Sequence, residues 1–454
     1  MRRLIDTEVT QVRTAEGRVI TLRQLFVPYF IEQLLMNLMG TVNTLVLGHY
    51  SDDAVAAVGA AGQVMGLIYT FYAVVSGGAS IIISHRLGEG SQKRASDAAF
   101  AAIVMGGVLS LAVSLCLFPF SGLLMQKLNL EGDVLQMATQ YFRICILTSV
   151  LQGVMSAVSA VLRSYGKPVP AVACSIFMNA VNAVLNCIVV FRPFETPFHG
   201  ASGIAVSGVI SRSMALVLIC ICLVKSRLNL DLIHKRFRDL ACVRGILRVG
   251  MPGGISNLSY SLSQVVSTSI LAILGTTALS AKIYISTIVF YVYVIGMSLG
   301  LSTAILIGWM TGAGEYEKAY RLNQQVLKIA ITLNITLSLC MFLAYRPLMG
   351  LFTSNTEIIQ MARGIFLIDI FVEIGRGFNH VEDNSLRGAG DVVFPMTVAI
   401  ISCWCMSILF SYILGIRCGM GLYGCWIAFM MDEMFRGMLL WRRFRSRKWM
   451  RKKI

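Results

Sequence analysis

The sequence predicts an all-α membrane protein: twelve transmembrane helices in two six-helix lobes related by a parallel internal repeat. Three observations predict it. Of 454 residues, 56% are apolar and 14% are charged, whereas an ordinary soluble domain carries roughly 25% charge. Apolar runs of spanning length recur twelve times, and twelve spans of about 20 residues would use about 240 residues. The chain also aligns with itself when shifted by 224 positions. A soluble enzyme of this length is excluded, because the residues for its polar surfaces are missing.

In order, the spans fall near 24–48, 56–84, 98–122, 136–162, 169–191 and 202–224, then near 250–274, 279–310, 325–345, 358–385, 392–416 and 421–441. The chain therefore divides into a polar segment 1–21, an N-lobe 22–224, a linker 225–248, a C-lobe 249–441 and a basic tail 442–454. Arg2 and Arg3 are followed by polar residues rather than by the apolar core of a cleavable signal.

Twelve spans put both termini on one side, and charge says which. Of the 39 Lys and Arg, 28 lie on the side of the termini, 4 on the other side and 7 within spans. The positive-inside rule makes the termini and the linker cytoplasmic. A net charge of +16 would suggest nucleic acid in a soluble protein. Here the basic tail Arg442–Lys453 reads instead as a stop-transfer segment touching anionic lipid.

The repeat is ungapped over most of each half. Pro28 matches Pro252, Ala57 matches Ala281, and Gly88 and Gly90 match Gly312 and Gly314. Gln136-Met137-Ala138 returns as Gln360-Met361-Ala362, and Leu162-Arg163 with Gly166 as Leu386-Arg387 with Gly390. A shift of 221 then aligns Gly200 and Gly203 with Gly421 and Gly424, and places Arg212 opposite Glu433. Six spans per half is an even number, so the repeats enter the membrane in the same orientation. Paired parallel lobes offer a central cleft that can open to either side, which points to a transporter.

The 12 Cys lie nearly all inside apolar runs, and the five His are scattered, so no metal-binding spacing is present. Gly88-Glu89-Gly90 and Gly312-Ala313-Gly314 lack the lysine of a phosphate loop and read as tight turns. Asn257-Leu258-Ser259 and Asn334-Ile335-Thr336 match glycosylation sequons, but inside spans the motif has no meaning.

Several stretches resemble the multidrug and toxic-compound extrusion (MATE) family. They are Val27-Pro28 through Gly48 with Ala54-Val55-Ala56-Ala57-Val58-Gly59, and the loop Leu87-Gly88-Glu89-Gly90. Leu162-Arg163-Ser164-Tyr165-Gly166-Lys167 and its echo Leu386-Arg387-Gly388-Ala389-Gly390-Asp391 complete the set. The resemblance runs from about 22 to 441 in the family's order and spacing. It implies export of amphiphilic, mostly cationic compounds in exchange for Na⁺ or H⁺, without a cofactor. It also shows departures. Where family members often carry acids in the first and fifth helices, this chain has Asn43 and Asn186. A seventh-helix Glu falls on Tyr260 and a tenth-helix Asp on Arg376.

Ionisable groups within spans are costly unless paired or hydrated, so each is a functional candidate. Glu32 follows Pro28 by one turn, and Asn43 follows Glu32 by 11 residues, close to the same helical face. The pair either lines the cleft, with Glu32 titrating during transport, or Glu32 simply reaches water at the cytoplasmic end. Asn179, Asn182 and Asn186 share one face of the fifth span, as helix glue or as cavity lining. In the tenth span Asp369, Glu373, Arg376 and His380 form one stripe at spacings of four, three and four. Such a stripe must face protein or water. Glu373 and Arg376 either brace the helix or form a switch in which an incoming cation displaces the arginine. Lys282, Lys328, Arg143 and Arg363 lie near span ends and can snorkel.

The function expected is a secondary antiporter in the cell membrane, acting as a monomer on a small amphiphilic substrate, with lipid but no nucleic acid as neighbour. A metal site is not assigned, although Na⁺ is one of the two candidate coupling ions. The alternative is a lipid-linked oligosaccharide flippase of the same superfamily; those usually carry extra spans. A major-facilitator carrier would hold an acidic residue within a basic motif in its second-to-third loop, which His85–Arg94 fits poorly. No convergent acid or nucleophile motif suggests an intramembrane enzyme. Cysteines introduced at Ser51 and in the linker 225–248 should label from opposite sides of the membrane; outside labelling of both would overturn this topology.

Overall fold

A computed structural model describes residues 9–13, 19–48, 51–128, 130–191, 200–226, 228 and 240–452. Apart from an antiparallel ribbon, β1 (Gln11–Arg13) with β2 (Val19–Thr21), the described residues are helices and their connections. In order these are α1 (Leu22–Gly48), α2 (Asp52–Gly88), α3 (Gln92–Leu117), α4 (Ser121–Gln126), α5 (Gly132–Leu147), α6 (Ser149–Ser164), α7 (Pro168–Phe191) and α8 (Gly200–Lys225). Then come α9 (Leu240–Ile273), α10 (Thr276–Gly312), α11 (Tyr316–Leu343), α12 (Tyr345–Gly350), α13 (Thr356–Gly388), α14 (Val393–Arg417) and α15 (Gly421–Arg445). Seven of these are long and apolar enough to cross a membrane, and the bent pair α5–α6 makes an eighth. With α1, α9, α13 and α15, also of spanning length, the expected twelve are present.

The backbone reproduces the repeat closely. Shifted by 224, α2 falls on α10 end to end, α4 on α12, and the start of α5 and end of α6 on the two ends of α13. The glycine motifs explain part of this register. Gly90, Gly166, Gly314 and Gly390 all have positive φ, between 70° and 88°. Each ends a helix with a bond from the residue after it to a carbonyl five residues back: Ser91 to Arg86, Lys167 to Leu162, Glu315 to Met310 and Asp391 to Leu386, at 2.8–3.0 Å. These are Schellman caps, which need a residue free to adopt left-handed backbone. The expected tight turns are thus helix stops.

Three elements differ from the sequence-based expectation. The fourth span is broken at Thr148, where α5 and α6 meet at 46°. Thr148 itself leaves the helical backbone, at φ −97° and ψ 7°, and its hydroxyl donates to Ile144 O at 2.8 Å. The equivalent residue in α13 is Val372, which has no hydroxyl, and α13 runs unbroken. Secondly, α9 begins at Leu240, inside the stretch read as linker. Thirdly, α14 winds with π-type turns over Cys403–Ile408 and Ser411–Arg417, where its repeat mate α7 is regular.

The chain divides into two compact units. One comprises Val27–Arg86 and Ser91–Gly254; the other comprises Met1–Phe26, Leu87–Gly90 and Ile255–Ile454. The first has a core of Ala57, Met65, Tyr72, Met125, Phe142 and Ile146. The second is built on Ile285, Val289, Met349, Ile365, Phe366 and Trp426. Its α13 packs against α10, α11 and α15. Small residues set the α13–α15 spacing: a Cβ at Gly375 would lie 2.7 Å from the main-chain carbon of Glu433.

The basic tail is folded against the second unit. Trp449 is buried, stacks on Phe444 at 4.7 Å and donates to its carbonyl at 2.9 Å. Arg443 and Lys452 pair with Asp391 at 2.8 and 3.6 Å, and Arg447 with Glu317 at 3.1 Å. These cations neutralise carboxylates of the same chain. Replacing Gly390 by Ala should lower stability by about 1–2 kcal/mol, the cost of left-handed backbone for an L-residue. Gly122→Ala, in a helix with open space around the new methyl, should be neutral. Thermal unfolding in detergent measures both.

Candidate functional site

The densest polar constellation lies in the second unit, where α13 meets α15. Asp369, Glu373 and Arg376 project from successive turns of α13; the adjacent Asp432 and Glu433, with Arg436 one turn on, project from α15. Arg376 Nη1 meets Glu373 Oε1 at 2.5 Å, and its Nε lies 3.7 Å from Glu433 Oε1. Arg436 Nη2 reaches that same Glu433 oxygen at 3.0 Å and Asp432 Oδ2 at 3.3 Å. Glu433 therefore links the two guanidiniums. The close approach at Gly375 lets side chains of ordinary length bridge the two helices.

Neutral donors complete the set. Asn334 of α11 donates to Glu373 O at 2.9 Å and to Oε2 at 3.3 Å. Asn379 donates to Glu433 O at 3.0 Å and to its Oε2. Ser402 donates to Asp432 Oδ1 at 2.5 Å, and Trp426 to Asp369 Oδ1 at 3.0 Å. Aromatic groups border the site: Arg376 lies 5.9 Å above the Tyr293 ring, and His380 meets Tyr293 edge-on at 4.8 Å. Tyr260 of α9 is exposed and within electrostatic reach of Arg376, Glu433 and Arg436. The four carboxyls Asp369, Glu373, Asp432 and Glu433 thus share two guanidiniums. Fully ionised, the group would carry two uncompensated negative charges in a setting where unpaired charge is very costly.

Along the tenth-span stripe Asp369 and Glu373 are buried, while Arg376 and His380 are half-buried. Sequence reasoning overlooked Asn334, dismissed as part of a sequon, and gave no role to Asn379, Trp426 or Ser402. Arg436 was readable: it stands three and four residues after two carboxylates, the spacing of a helical ion pair.

In the first unit Glu32 does not reach water at a span end. It is buried, with Oε2 3.0 Å from Arg163 Nη1 and Oε1 accepting from Ser175 Oγ at 3.2 Å. Arg163 also covers the Tyr29 ring at 4.8 Å. The repeat clarifies this contact. Shifted by 224, Glu32 becomes Ser256 and Arg163 becomes Arg387, and Arg387 bonds Ser256 Oγ at 3.3 Å. In the second unit Asp383, 2.8 Å away, supplies the charge instead. The arginine of each Leu-Arg motif is thus tied to the helix that follows the matching proline. The side chain of Asn43, expected on the same face as Glu32, lies outside the described residues.

Asn186 donates to Asn182 Oδ1 at 3.2 Å, and Asn182 to Ser211 Oγ of α8 at 3.4 Å. The pair therefore links α7 to α8, while Asn179 Nδ2 has no hydrogen-bond partner among the described residues. Arg212 faces Tyr69, Tyr141 and Cys145, with no carboxylate partner among the described residues. The structure does not gather Glu32, Asn182 and Asn186 into one cluster. Among the described residues, no three His, Cys, Asp or Glu side chains converge as a metal-ion site.

Comparison with known proteins gives a consistent result. The MatE family model matches residues 28–188 and 252–413, the two halves in turn. The chain is 34% identical over 445 residues to the "Uncharacterized transporter YisQ" of Bacillus subtilis, covering 98% of both. It is 28% identical to a "Probable multidrug resistance protein NorM" of Thermotoga maritima, covering 95% of this chain and 93% of that one. A crystal structure of MATE in complex with MaD3S superposes with a TM-score of 0.87 at 20% identity, over 95% of this chain and 96% of that one.

Removing Arg163 alone should strand Glu32 as a buried unpaired charge. Arg163→Met is expected to cost about 3–5 kcal/mol, and adding Glu32→Gln should recover most of it. Unfolding temperatures of the two variants in detergent check this.

Proposed function

The chain belongs to the MatE family of multi-pass membrane transporters, and from that premise we propose that it is a proton-coupled antiporter exporting amphiphilic cationic compounds by alternating access. The protein is a transporter and not an enzyme. The relative named for multidrug resistance suggests drugs or toxic metabolites as substrates.

One observation carries the coupling: four carboxyls, three of them buried and Glu433 half-buried, share two guanidiniums along α13 and α15. Such a cluster is balanced by added positive charge, and the family offers Na⁺ or H⁺ to supply it. The lining favours H⁺. Glu373, Asp432 and Glu433 each have both oxygens engaged by an N–H or O–H donor. A metal ion wants oxygen ligands instead. A proton needs no such shell; it neutralises Glu373 and frees Arg376 to move.

Glu373 then alternates between the guanidinium and a proton, and the two states are different conformations with different affinities for substrate. Tyr260 and Tyr293 beside Arg376 provide ring faces suited to an amphiphilic cation. The parallel repeat supports rocking of two lobes, 22–224 and 249–441, about a membrane-normal axis. The surplus of positive charge on one side supports cytoplasmic termini and a cytoplasmic linker.

The test is flux in proteoliposomes. A proton gradient should drive accumulation of a fluorescent lipophilic cation, whereas a sodium gradient should not. Glu373→Gln should fold and bind the cation with gradient-driven uptake reduced at least tenfold. Normal uptake by this variant would remove the switch. A variant that folds only when Arg376 is also neutralised would identify the pair as a brace.

A further inference from the structure

A second buried carboxyl lies outside this cluster. Glu382 stands nine residues after Glu373 on α13, about 14 Å further along the helix axis. Its side chain is fully buried. Oε2 accepts from Asn323 Nδ2 of α11 at 3.2 Å, and the same amide donates to Ser385 Oγ at 2.9 Å. Gln324 Nε2 holds the Asn323 carbonyl at 3.3 Å, which fixes the amide with its N–H side toward the acid. Glu382 Oε1 has no hydrogen-bond partner among the described residues.

Ionisable neighbours on every packed element are engaged elsewhere or distant. On α13 itself Asp383 is paired with Arg387 and His380 lies against Tyr293. On α11 Arg321 is within 4.0 Å of Glu317, and Lys328 is exposed. On α15 Asp432, Glu433 and Arg436 belong to the cluster around Arg376, and Arg443 binds Asp391. On α10 Lys282 is bonded to Thr268 of α9, and on α12 Arg346 is bonded to Tyr345. On α14, which also packs against α13, the ionisable groups are Cys403, bonded to Ser263, the exposed Cys405, Tyr412, and Arg417, which lies over the Tyr412 ring. Among the described residues no cation comes within ion-pairing distance of Glu382.

A carboxylate placed this way would be a buried charge without a counter-charge, a far costlier state than a neutral acid with one weakly satisfied oxygen. A metal ion does not fit, because the Asn323 amide presents hydrogens to the acid rather than its oxygen. We propose that Glu382, held between α11 and α13 by Asn323, whose amide is itself anchored on Ser385, is a second proton-binding site of this protein. It is occupied while α11 and α13 pack as they do here, and it releases its proton when their separation admits water to the carboxyl.

The placement suggests a use that rests on the proton-coupled reading. Glu382 is six residues from the end of α13 at Gly388, about 9 Å, whereas Glu373 is about 22 Å from it. Glu382 therefore lies on the stretch of α13 between the Arg376 cluster and the loop after Gly388, where a proton leaving toward that face would pass. The repeat mate of Glu382 is Val158, so this site belongs to one half only.

Infrared spectroscopy of the full-length protein in lipid nanodiscs at neutral pH tests occupancy without any transport. The wild type should show the carbonyl band of a protonated carboxylic acid, and Glu382→Gln should lose one such component while remaining folded. A wild-type-like band in Glu382→Gln would overturn the proposal. Should Glu382→Gln fail to fold, Asn323→Leu keeps the acid but removes its amide donor and should shift the band to higher frequency. An unshifted band there would also overturn it. If Glu373→Gln transports normally, the coupling scheme falls, yet the Glu382 band stands or falls on its own.

Discussion

The interaction on which the second unit depends is the bridge through Glu433, which holds Arg376 of α13 and Arg436 of α15 at once. A bilayer leaves no solvent to neutralise charge, so ionisable side chains at this depth persist only in mutual compensation. That requirement orders much else. It needs α13 and α15 close together, which Gly375 permits. It also recruits amide and hydroxyl donors from α11 and α14 to the remaining carboxylate oxygens. The arrangement still leaves carboxyls in excess over guanidiniums.

The two halves show how one backbone plan carries unequal chemistry. Both stop their helices with the same glycine caps, and both tie the arginine of the Leu-Arg motif to the helix behind the matching proline. The polar cargo differs. Glu32 in one half corresponds to Ser256 in the other, and Val158 corresponds to Glu382. The first unit presents asparagines and an aromatic-lined Arg212, while the second concentrates acids on α13 and α15. A duplicated scaffold kept its caps, which are backbone requirements, and let side chains diverge where packing tolerates it.

The family resemblance places the chain among transporters, but its best-known acidic positions are held by Asn43, Asn186, Tyr260 and Arg376. Where the resemblance puts a carboxylate in the tenth helix this chain has Arg376, and an acid, Glu373, lies one helical turn away and pairs with it.

What the sequence determined by itself was whatever follows from one-dimensional pattern. Apolar length gave the spans, the 224-residue shift gave the repeat, and helical spacing set Asp369, Glu373 and Arg376 on one face. Only the tertiary structure decided partners across helices. Glu32 meets Arg163 across 131 positions, and Asn323 meets Glu382 across 59; no local spacing encodes either contact. The break at Thr148 was likewise not legible, because the apolar pattern is continuous through it. The physical reason is common to the two contacts. Burial in lipid is a property of a segment and can be summed along the chain, whereas compensation of a buried charge is a property of a pair, fixed only when two helices come within a few ångströms.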